Sequence, residues 1–368
     1  MNMKKAKMLT VAVAMALGMG MSVLPMQEAS AFSLGDVVGT VLNGAQQYKA
    51  LDDYIHYVND TDEGRKAYFE KLKQENGVSQ DAYHTQMLDD IMERLTNGIG
   101  DNDPSIYEKP FLYFLNEDET FNAACGLGHV MTVNKGLFYI SDNIDEVAFV
   151  LGHEMGHGMK NHSVNGTKKK MRTLIGASVA AEAMGGTQMA DMAMSALVGQ
   201  INNVAIGKKQ EWEADNLAFD YCVSAGYNPG AGAALWQRFN EKQGEFKNSL
   251  VGEIFSPNDH PSNKDRRLNY EKKMTELSGN HVTVKKDTDI IQINGKDFTA
   301  PAALGDMSSA ERKYFLMGNL SAAYANGQNT KDAYNSNGTV YLGNQAIITP
   351  VAGDKSADEL VKILNQIK

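Results

Sequence analysis

Apolar and polar residues recur with two periods along this chain, and each period predicts a different kind of element. Charged and apolar residues alternate at helical spacing in the first part of the chain, as in residues 81–95, and predict helices there. The apolar runs FLYFLN at residues 111–116 and HVMTV at residues 129–133 predict strands, the second at the edge of its sheet beside a cleft. An edge strand of this kind can hold an extended peptide through main-chain hydrogen bonds. The pattern therefore predicts helices packed around a small sheet.

Turn and cap signals set off a C-terminal region. The dipeptides Asn-Gly at 294–295 and Gly-Asn at 343–344 lie between apolar runs and predict β-hairpins. Ser308 and Ser356 are each followed three residues later by glutamate, which is the capping-box pattern that opens a helix. The apolar residues of the last helix fall on one stripe, Leu360, Ile363, Leu364 and Ile367. Residues 281–368 are therefore predicted to form a small α+β domain, in which no pattern of catalytic residues is visible.

The string His-Glu-Met-Gly-His at residues 153–157 is the clearest sign of chemistry. Asn143 with Glu146 three positions later gives a capping-box start, followed by an apolar run, so the string falls inside a helix. Residues four apart share one helix face, so His153 and His157 can both present a ring nitrogen to one metal ion. Glu154 is turned about 100° away from His153. That placement suits a base that takes a proton from a water molecule on the metal.

A catalytic zinc ion takes three protein ligands and keeps one position open, so a third ligand must come from elsewhere in the chain. The string Glu-Trp-Glu-Ala-Asp lies at residues 211–215, and its first residue comes 54 positions after His157. Glu211 and Asp215 share a helix face, whereas Glu213 points almost oppositely. Glu211 is the predicted third ligand, and Asp215 is predicted to fix the tautomer of a histidine ligand. A solvated helix start with mixed acids and a satisfied histidine pair is the other interpretation.

Longer strings around these residues carry a family resemblance. LGHEMGHGMKNHS at 151–163, followed by EWEAD, resembles the HtpX-like and CAAX-prenyl-protease-like family of gluzincin metallopeptidases, and within it the soluble periplasmic bacterial members of the LoiP and BepA type. FNAACGLGHVMTVNKGLFY at 121–139 and NDHPSNKDRRL at 258–268 are similar to segments that the family has before and after its active-site helix. The resemblance covers residues 80–275. Ala-Cys-Gly at 124–126 departs from the bulkier, proline-containing turn of the family, and the C-terminal region has no counterpart in it.

The resemblance implies a zincin-like α+β metallopeptidase domain, mostly helical with a small sheet. Because the composition changes near residue 280, residues 32–280 are assigned to this domain, and the small C-terminal domain follows. It implies a zinc endopeptidase that hydrolyses unfolded or misassembled envelope proteins. In this enzyme Zn²⁺ is bound by His153, His157 and Glu211, and Glu154 is the general base and then the acid.

Two other functions are weighed against the peptidase. The alternative is a chaperone-like assembly factor with latent peptidase activity, in which the C-terminal domain contacts an envelope protein partner. Retention of Glu154 favours the peptidase, because a pure binding protein has no need of this residue. A structural zinc site is disfavoured, since such sites usually fill four positions with cysteine and histidine.

His260 is a further predicted catalytic residue. It precedes Pro261 in the segment that matches the His-Pro segment of the family, and Arg266 and Arg267 follow. A neutral imidazole on a loop is suited to fill the open position of zinc and switch the enzyme off. After a loop movement, the same histidine could help to stabilise the oxyanion, with an arginine assisting. A histidine that only caps a surface turn before proline is the alternative.

The first residues predict export. Three lysines precede an apolar stretch at 8–24, and Ala-Ser-Ala at 29–31 gives a cleavage site, so residues 1–31 are predicted to be a secretory signal. A retained membrane anchor is the alternative. Cleavage removes three lysines and one glutamate, so the net charge moves from -10 to -12. Such an acidic chain argues against nucleic acid or anionic lipid as the main partner. The expected location is the periplasm or the cell envelope, or the medium after secretion.

Two further features leave alternatives open. Cys125 and Cys222 are the only cysteines, and in an oxidising compartment they either form a disulfide or remain as buried thiols. Residues 171–206 are rich in alanine, glycine and methionine, but acids and a glycine pair leave no clean span of about 20 apolar residues. A helical hairpin packed on the domain is expected there. A mobile lid or a contact with the membrane surface is the alternative.

Overall fold

Helices and three small sheets make up the part of the chain that the structure describes. The computed structural model describes residues 44–141, 143–183, 206–241 and 262–368. Within these ranges the helices are α1 (Gly44–Asp60), α2 (Asp62–Asn76), α3 (Ala82–Gly100), α4 (Ser105–Glu108), α5 (Gly136–Ile140), α6 (Ile144–Met159), α7 (His162–Ala183), α8 (Lys208–Ser224), α9 (Ala231–Glu241), α10 (Asn263–Leu277), α11 (Ser309–Ala325) and α12 (Ala357–Ile367). The strands are β1 (Leu112–Asn116), β2 (Ala123–Cys125), β3 (Val130–Asn134), β4 (Val282–Val284), β5 (Ile291–Ile293), β6 (Lys296–Thr299), β7 (Ala333–Ser336), β8 (Thr339–Leu342) and β9 (Gln345–Ile348). The predicted signal at residues 1–31 and His260 lie outside the described residues.

This is the α+β architecture that the sequence predicts, with one error in the first sheet. Its strand order is β1-β3-β2, with β1 parallel and β2 antiparallel to β3. The HVMTV segment therefore forms the central strand, and the expectation that it lies at the edge is wrong. The edge that faces helix α6 is β2, a three-residue strand that is too short for apolar periodicity to reveal. The other two sheets, β4-β5-β6 and β7-β8-β9, are antiparallel and lie in the C-terminal region.

Helix α6 carries the His-Glu-x-x-His string and begins where the sequence predicts. The Asn143 side chain accepts a hydrogen bond from the main-chain nitrogen of Asp145 at 2.9 Å and caps the helix. The capping-box pattern predicts that the Glu146 side chain accepts a hydrogen bond from the main-chain nitrogen of Asn143, but this bond is not formed. The Glu146 carboxylate is buried and accepts hydrogen bonds from Ser141 and Arg238 instead. The start of this helix is thus set locally, whereas the partner of Glu146 is set by tertiary packing.

Helices α6 and α8 approach each other along small residues. A Cβ atom at Gly156 would lie 3.3 Å from Ala214 Cα, and one at Gly152 would lie 3.6 Å from Ala218 Cα. Because these residues have little or no side chain, the two helix axes can come close together. The close approach brings the first turns of α8 beside the C-terminal half of α6, where both histidines lie.

The turn between β2 and β3 is fixed by helices α1 and α2. The main-chain nitrogen of Gly128 donates to Asn59 Oδ1 at 2.9 Å, and Arg65 Nε donates to the Gly128 carbonyl at 2.7 Å. Gly128 has a φ of 69°, and a Cβ atom there would lie 2.6 Å from the Val58 carbonyl oxygen. Only glycine fits this left-handed position against the helix. The N-terminal helices therefore hold the edge of the first sheet in place.

The C-terminal hairpins form where the sequence predicts them. β5 pairs with β6, and β8 pairs with β9. Asn294 and Gly295 have φ values of 52° and 74°, the left-handed conformations that a tight hairpin turn requires. A third hairpin joins β7 to β8 at Asn337 and Gly338, with φ values of 51° and 86°. It carries the same Asn-Gly signal as the turn at 294–295.

Both predicted caps in this region are also confirmed. The Ser308 side chain accepts a hydrogen bond from the main-chain nitrogen of Glu311 at the start of α11. The Ser356 side chain does the same with Glu359 at the start of α12. These contacts are local, so a sequence pattern is sufficient to predict them.

The C-terminal region packs directly on the region that precedes it. Arg238 of α9 contacts Glu146 of α6 at 2.8 Å and Glu311 of α11 at 3.3 Å. Tyr314 of α11 donates a hydrogen bond to Glu271 of α10 at 3.0 Å. One cluster of buried apolar side chains continues through both regions. The division of the chain at residue 280 stays a prediction.

Helix α7 covers the beginning of the alanine- and methionine-rich segment. It runs from His162 to Ala183, and residues 184–205 lie outside the described ranges, so the predicted hairpin is not tested. Among the helices of the described part, none combines the length and the apolar character that crossing a membrane requires.

Cys125 on β2 and Cys222 on α8 are buried and unbridged. Their sulfur atoms lie beside different parts of α6. A Cβ atom at Gly158 would lie 3.0 Å from Cys125 Sγ, and one at Gly152 would lie 3.7 Å from Cys222 Sγ. Six residues of helix rise about 9 Å, which is far more than a disulfide spans. Of the two alternatives, the structure contains the buried thiols.

We expect both thiols to resist alkylation in the folded protein and to react after unfolding without a reductant. Burial raises the pKa of both, so little thiolate is present in the native state. Mass spectrometry of protein denatured in an alkylating agent should show two adducts. A mass about 2 Da below that of the reduced chain, with no adduct, would show a disulfide and contradict this arrangement.

Candidate metal centre

Helices α6 and α8 bring two imidazoles and one carboxylate together. His153 Nε2 and His157 Nε2 are 3.0 Å apart. Glu211 Oε2 lies 3.5 Å from His153 Nε2, and its Oε1 lies 3.4 Å from His157 Nε2. One donor atom from each residue lies within 4.8 Å of the other two, and all three residues are buried. The helical repeat aligns the histidines, and the close packing of α8 supplies the glutamate.

His153 is oriented from behind by Asp215, which Arg266 holds in turn. His153 Nδ1 lies 3.0 Å from Asp215 Oδ1. The Arg266 guanidinium donates two hydrogen bonds to the Asp215 carboxylate, one from Nε at 2.7 Å and one from Nη2. It also stacks over the Trp236 ring, 3.9 Å from the ring centroid. A carboxylate in this bidentate pair stays ionised and accepts the Nδ1 proton of His153, so Nε2 is the nitrogen left to face His157 and Glu211.

The electrostatics of this pocket favour one positive charge. Burial by itself lowers the pKa of His153, yet the Asp215 and Glu211 carboxylates raise it to about 9. The pKa of His157 lies well below its ordinary value because the ring is buried and is next to His153. The pocket therefore stabilises one positive charge between His153, His157 and Glu211, but not a second one. Two imidazoles and a carboxylate are also the donor set of many catalytic zinc sites, so the residues present fit a divalent metal ion.

Glu154 lies beside these donors and is held by strand β2. Its Oε2 accepts a hydrogen bond from the main-chain nitrogen of Cys125 at 3.0 Å. Burial raises the pKa of Glu154 to about 7. A carboxyl group with such a pKa can take up and release a proton near neutral pH. The edge strand thus positions the group that the sequence predicts to be the base.

Five of the six predicted site residues lie in this pocket. His153, His157 and Glu211 converge, Asp215 contacts His153, and Glu154 follows His153 on α6. Glu213 is turned away with its side chain 45% exposed, as the helical period predicts. The sixth residue, His260, lies outside the described residues.

Two residues of the pocket hold a ligand or its partner in a way that the sequence does not predict. The sequence predicts Arg266 only as an aid to the oxyanion, although a buried Asp215 requires a cationic partner and so gives a signal for one. His162 follows His157 by five residues and contacts its outer nitrogen at 2.9 Å. No helical period predicts that contact, because a turn between α6 and α7 separates the two residues.

A buried His-Glu-x-x-His helix, packed on a second helix that supplies a glutamate and a fixed aspartate, defines a metallopeptidase. The chain belongs to Peptidase family M48, whose model matches residues 83–272, just over half of the chain. Metal dependence follows from this membership. The matched range contains both strings of the candidate metal site and ends before the C-terminal region.

Curated relatives point to the same class. The chain is 26% identical to metalloprotease LoiP of Escherichia coli over 187 residues, which are 49% of this chain and 68% of that protein. It is 25% identical to the beta-barrel assembly-enhancing protease of Escherichia coli over 211 residues, 54% of this chain and 38% of that protein. It is 31% identical to mitochondrial metalloendopeptidase OMA1 of Arabidopsis thaliana over 147 residues, 39% of this chain and 28% of that protein. The chain thus spans well under half the length of the last two relatives.

We expect Asp215→Asn to weaken zinc affinity by about 10- to 100-fold, less than Glu211→Ala does. The amide removes the negative charge that orients His153, but it leaves all three donor residues in place. Competition with a chromophoric chelator measures the affinity, and the melting temperature of the metal-free protein reports on folding.

Asp220→Asn is the matched control for this change. Asp220 lies on the same helix, and its side chain is 61% exposed. We expect its zinc affinity to stay within about twofold of wild type. An equal loss in both variants would show that Asp215 has no special role at the metal centre.

Proposed function

We propose that the protein is a zinc-dependent endopeptidase that hydrolyses peptide bonds in unfolded or misassembled envelope proteins. The observation that carries this proposal is the buried convergence of His153, His157 and Glu211 beside a Glu154 that strand β2 holds. Membership in a metallopeptidase family supports the reaction class. The choice of zinc rests on the donor set, which suits this ion.

The proposed chemistry assigns a role to each residue of the pocket. His153, His157 and Glu211 would hold the ion, which, when bound, acidifies water and polarises the scissile carbonyl. Glu154 takes the proton of the attacking water and gives it to the leaving amine. Burial raises the pKa of Glu154 to about 7, so the carboxyl is suited to both transfers. Asp215 keeps His153 in the tautomer that exposes its Nε2 lone pair.

Strand β2 offers an extended substrate a main-chain edge next to Glu154. Asn122 and Gly126 exchange main-chain hydrogen bonds with β3, so by alternation Ala124 also faces that strand. The main-chain groups of Ala123 and Cys125 therefore face the other way. Those of Cys125 are already engaged, its nitrogen with Glu154 and its carbonyl with Ser163, so a substrate would pair with the main chain of Ala123. A peptide that adds to this edge would be recognised by its backbone, which tolerates many sequences and suits unfolded substrates.

The envelope is the proposed location. The predicted secretory signal at residues 1–31 and the names of the relatives, which include a beta-barrel assembly-enhancing protease, support export to the periplasm or the cell envelope. The C-terminal region, which lies beyond the family match, is proposed to contact an envelope protein partner. His260 as a switch of the metal centre, and a membrane contact through residues 171–206, also remain proposals.

The test combines metal analysis with proteolysis by the purified mature protein. We expect about one zinc ion per chain, cleavage of unfolded casein, loss of cleavage with a chelator and recovery with added zinc. Glu154→Gln is the inactive control for a contaminating protease. Zinc-loaded protein that leaves casein intact but suppresses its aggregation would contradict the peptidase and favour the chaperone-like alternative.

A further inference from the structure

The outer nitrogen of His157 contacts a second histidine. His157 Nδ1 lies 2.9 Å from His162 Nδ1, and the two rings meet edge to face with centroids 5.0 Å apart. The other nitrogen of His162, Nε2, lies 3.3 Å from Glu213 Oε2. His162 is 3% exposed, whereas the Glu213 side chain is 45% exposed. These three side chains form a line from the metal centre to the surface, and it is called here the outer line.

The two histidines of the metal centre thus have different outer partners. His153 faces Asp215, a carboxylate that is neutralised by Arg266. His157 faces His162, a ring that can donate or accept at each nitrogen depending on its tautomer. The outer nitrogen of a metal-binding histidine usually donates to an acceptor, and that contact fixes the tautomer of the ring. His162 is therefore the group that decides which nitrogen of His157 carries the proton.

We propose that His162 is a positioning residue that fixes His157 with its proton on Nδ1 and its Nε2 lone pair toward the metal, through a line of hydrogen bonds that ends at Glu213. The proposal rests on the metal centre of the proposed function. Two Nδ1 atoms at 2.9 Å need one donor and one acceptor. When His157 donates, His162 must accept at Nδ1, and its own proton lies on Nε2. That nitrogen faces the Glu213 carboxylate, so every member of the outer line has a matched partner.

The opposite arrangement does not serve a metal centre. If His162 donated from Nδ1, His157 would accept at Nδ1, and the proton of its neutral ring would lie on Nε2. That proton would block the nitrogen that faces His153 and Glu211. His162 Nε2 would then lack a proton, and it would face the Glu213 carboxylate without a hydrogen bond, because both atoms are acceptors. The negative charge of Glu213 therefore selects the arrangement that leaves His157 ready to bind a cation.

The fold holds His162 in place through a tight turn. Asn161, with a φ of 52°, joins α6 to α7, and its main-chain nitrogen donates to the Gly158 carbonyl at 2.8 Å. Ser163, the next residue after His162, donates from Oγ to the Cys125 carbonyl at 2.7 Å. The first turn of α7 is thus attached both to α6 and to the strand that holds Glu154. A side chain at position 162 has little freedom to move away from His157.

Zinc affinity and the tautomers of the two histidines test the outer line. We expect His162→Phe, which keeps a ring but has no acceptor, to weaken zinc affinity by about 10- to 100-fold. His162→Asn places a carbonyl oxygen near the position of Nδ1 and should recover affinity to within about threefold of wild type. Glu213→Ala should cost less than His162→Phe, because the carboxylate is half exposed and water can replace it. Competition with a chromophoric chelator gives each dissociation constant.

Two controls separate orientation of the ligand from general packing. His84→Phe removes another partly buried histidine that pairs with a carboxylate, Asp81 at 2.7 Å, and it should leave affinity within about twofold. The melting temperature of each metal-free variant reports on packing without the metal. Nitrogen-15 NMR of the zinc-loaded protein should show the proton on Nδ1 of His157 and on Nε2 of His162.

Three results would overturn the inference. They are wild-type affinity in His162→Phe, equal losses in His162→Phe and His162→Asn, and a proton on His162 Nδ1 in the zinc-loaded protein. Failure of wild-type protein to bind zinc would instead contradict the proposed function. The two failures are thus distinguishable, because the first requires that the wild-type protein binds the metal.

Discussion

Glu154→Gln is expected to lose peptidase activity by a factor on the order of 10² to 10⁴ and to keep its zinc. The amide cannot take a proton from water at neutral pH. Its carbonyl oxygen can still accept the hydrogen bond that Cys125 donates at 3.0 Å, so the pocket keeps its shape. His153, His157 and Glu211 are unchanged in this variant. Cleavage rates on unfolded casein and metal content measured on the same preparation test the prediction.

Two comparisons decide how this result is interpreted. His157→Ala removes a donor atom and should lose both zinc and activity. Glu276→Gln, an exposed glutamate on α10, is the matched control for the chemical change, and it should keep both. If Glu154→Gln loses as much zinc as His157→Ala, the roles assigned to the two residues are wrong.

Arg238→Met is expected to lower the free energy of unfolding by about 3–5 kcal/mol. Arg238 contacts Glu146 of the active-site helix at 2.8 Å and Glu311 of α11 at 3.3 Å, and both glutamates are buried. Without the guanidinium, two carboxylates face each other in a region with little water. Urea unfolding at about pH 8, which is above the pKa of Glu146 in the wild-type protein, measures the loss.

The loss should become smaller as the pH falls. Burial raises the pKa of Glu146 to about 7, and this shift exceeds the opposing effects of Arg238 and Ser141, while Glu311 raises the pKa further. A carboxyl whose folded pKa is raised contributes stability below its unfolded pKa and loses it as pH rises through the folded value. Arg238 is one of the groups that lower this pKa, so its removal raises the pKa above the wild-type value. At about pH 7 and below, Glu146 therefore holds a proton in the folded variant, and the repulsion from Glu311 is relieved.

An exposed pair gives the control for this prediction. Lys272→Met breaks the contact between Lys272 and Glu276, whose side chains are 74% and 58% exposed, and should change stability by less than about 0.5 kcal/mol. Replacing both Glu146 and Glu311 with glutamine in the Arg238→Met background should recover much of the loss. A loss of less than about 1 kcal/mol in Arg238→Met would show that the three charges do not stabilise the junction between α6, α9 and α11.

Much of the metal centre could be predicted because its geometry is local to two helices. A spacing of four residues places His153 and His157 on one face of α6, and Glu211 and Asp215 on one face of α8. Asn143, Ser308 and Ser356 cap helices through contacts two or three residues away. Such contacts depend on the residues themselves and very little on the rest of the molecule.

The errors and omissions concern contacts between residues far apart in the chain. The sequence predicted the HVMTV segment at the sheet edge, but strand order depends on which distant segment pairs with which, and β2 takes the edge. Glu146 has the position of a capping residue, yet a buried Arg238 and Ser141 bind it more strongly than the main-chain nitrogen at the cap would.

The sequence by itself determined the reaction class, and it predicts the three metal ligands and the base, because helical periodicity and the preferences of metal ions for their ligands act over a few residues. Only the tertiary structure decided which residues orient these ligands and the base. Arg266 reaches Asp215 across 51 positions of the chain, and a tight turn places His162 behind His157. Strand β2 brings the Cys125 nitrogen to Glu154. These partners form because a buried charge or ring nitrogen must find a hydrogen-bonding group wherever the packed chain supplies one.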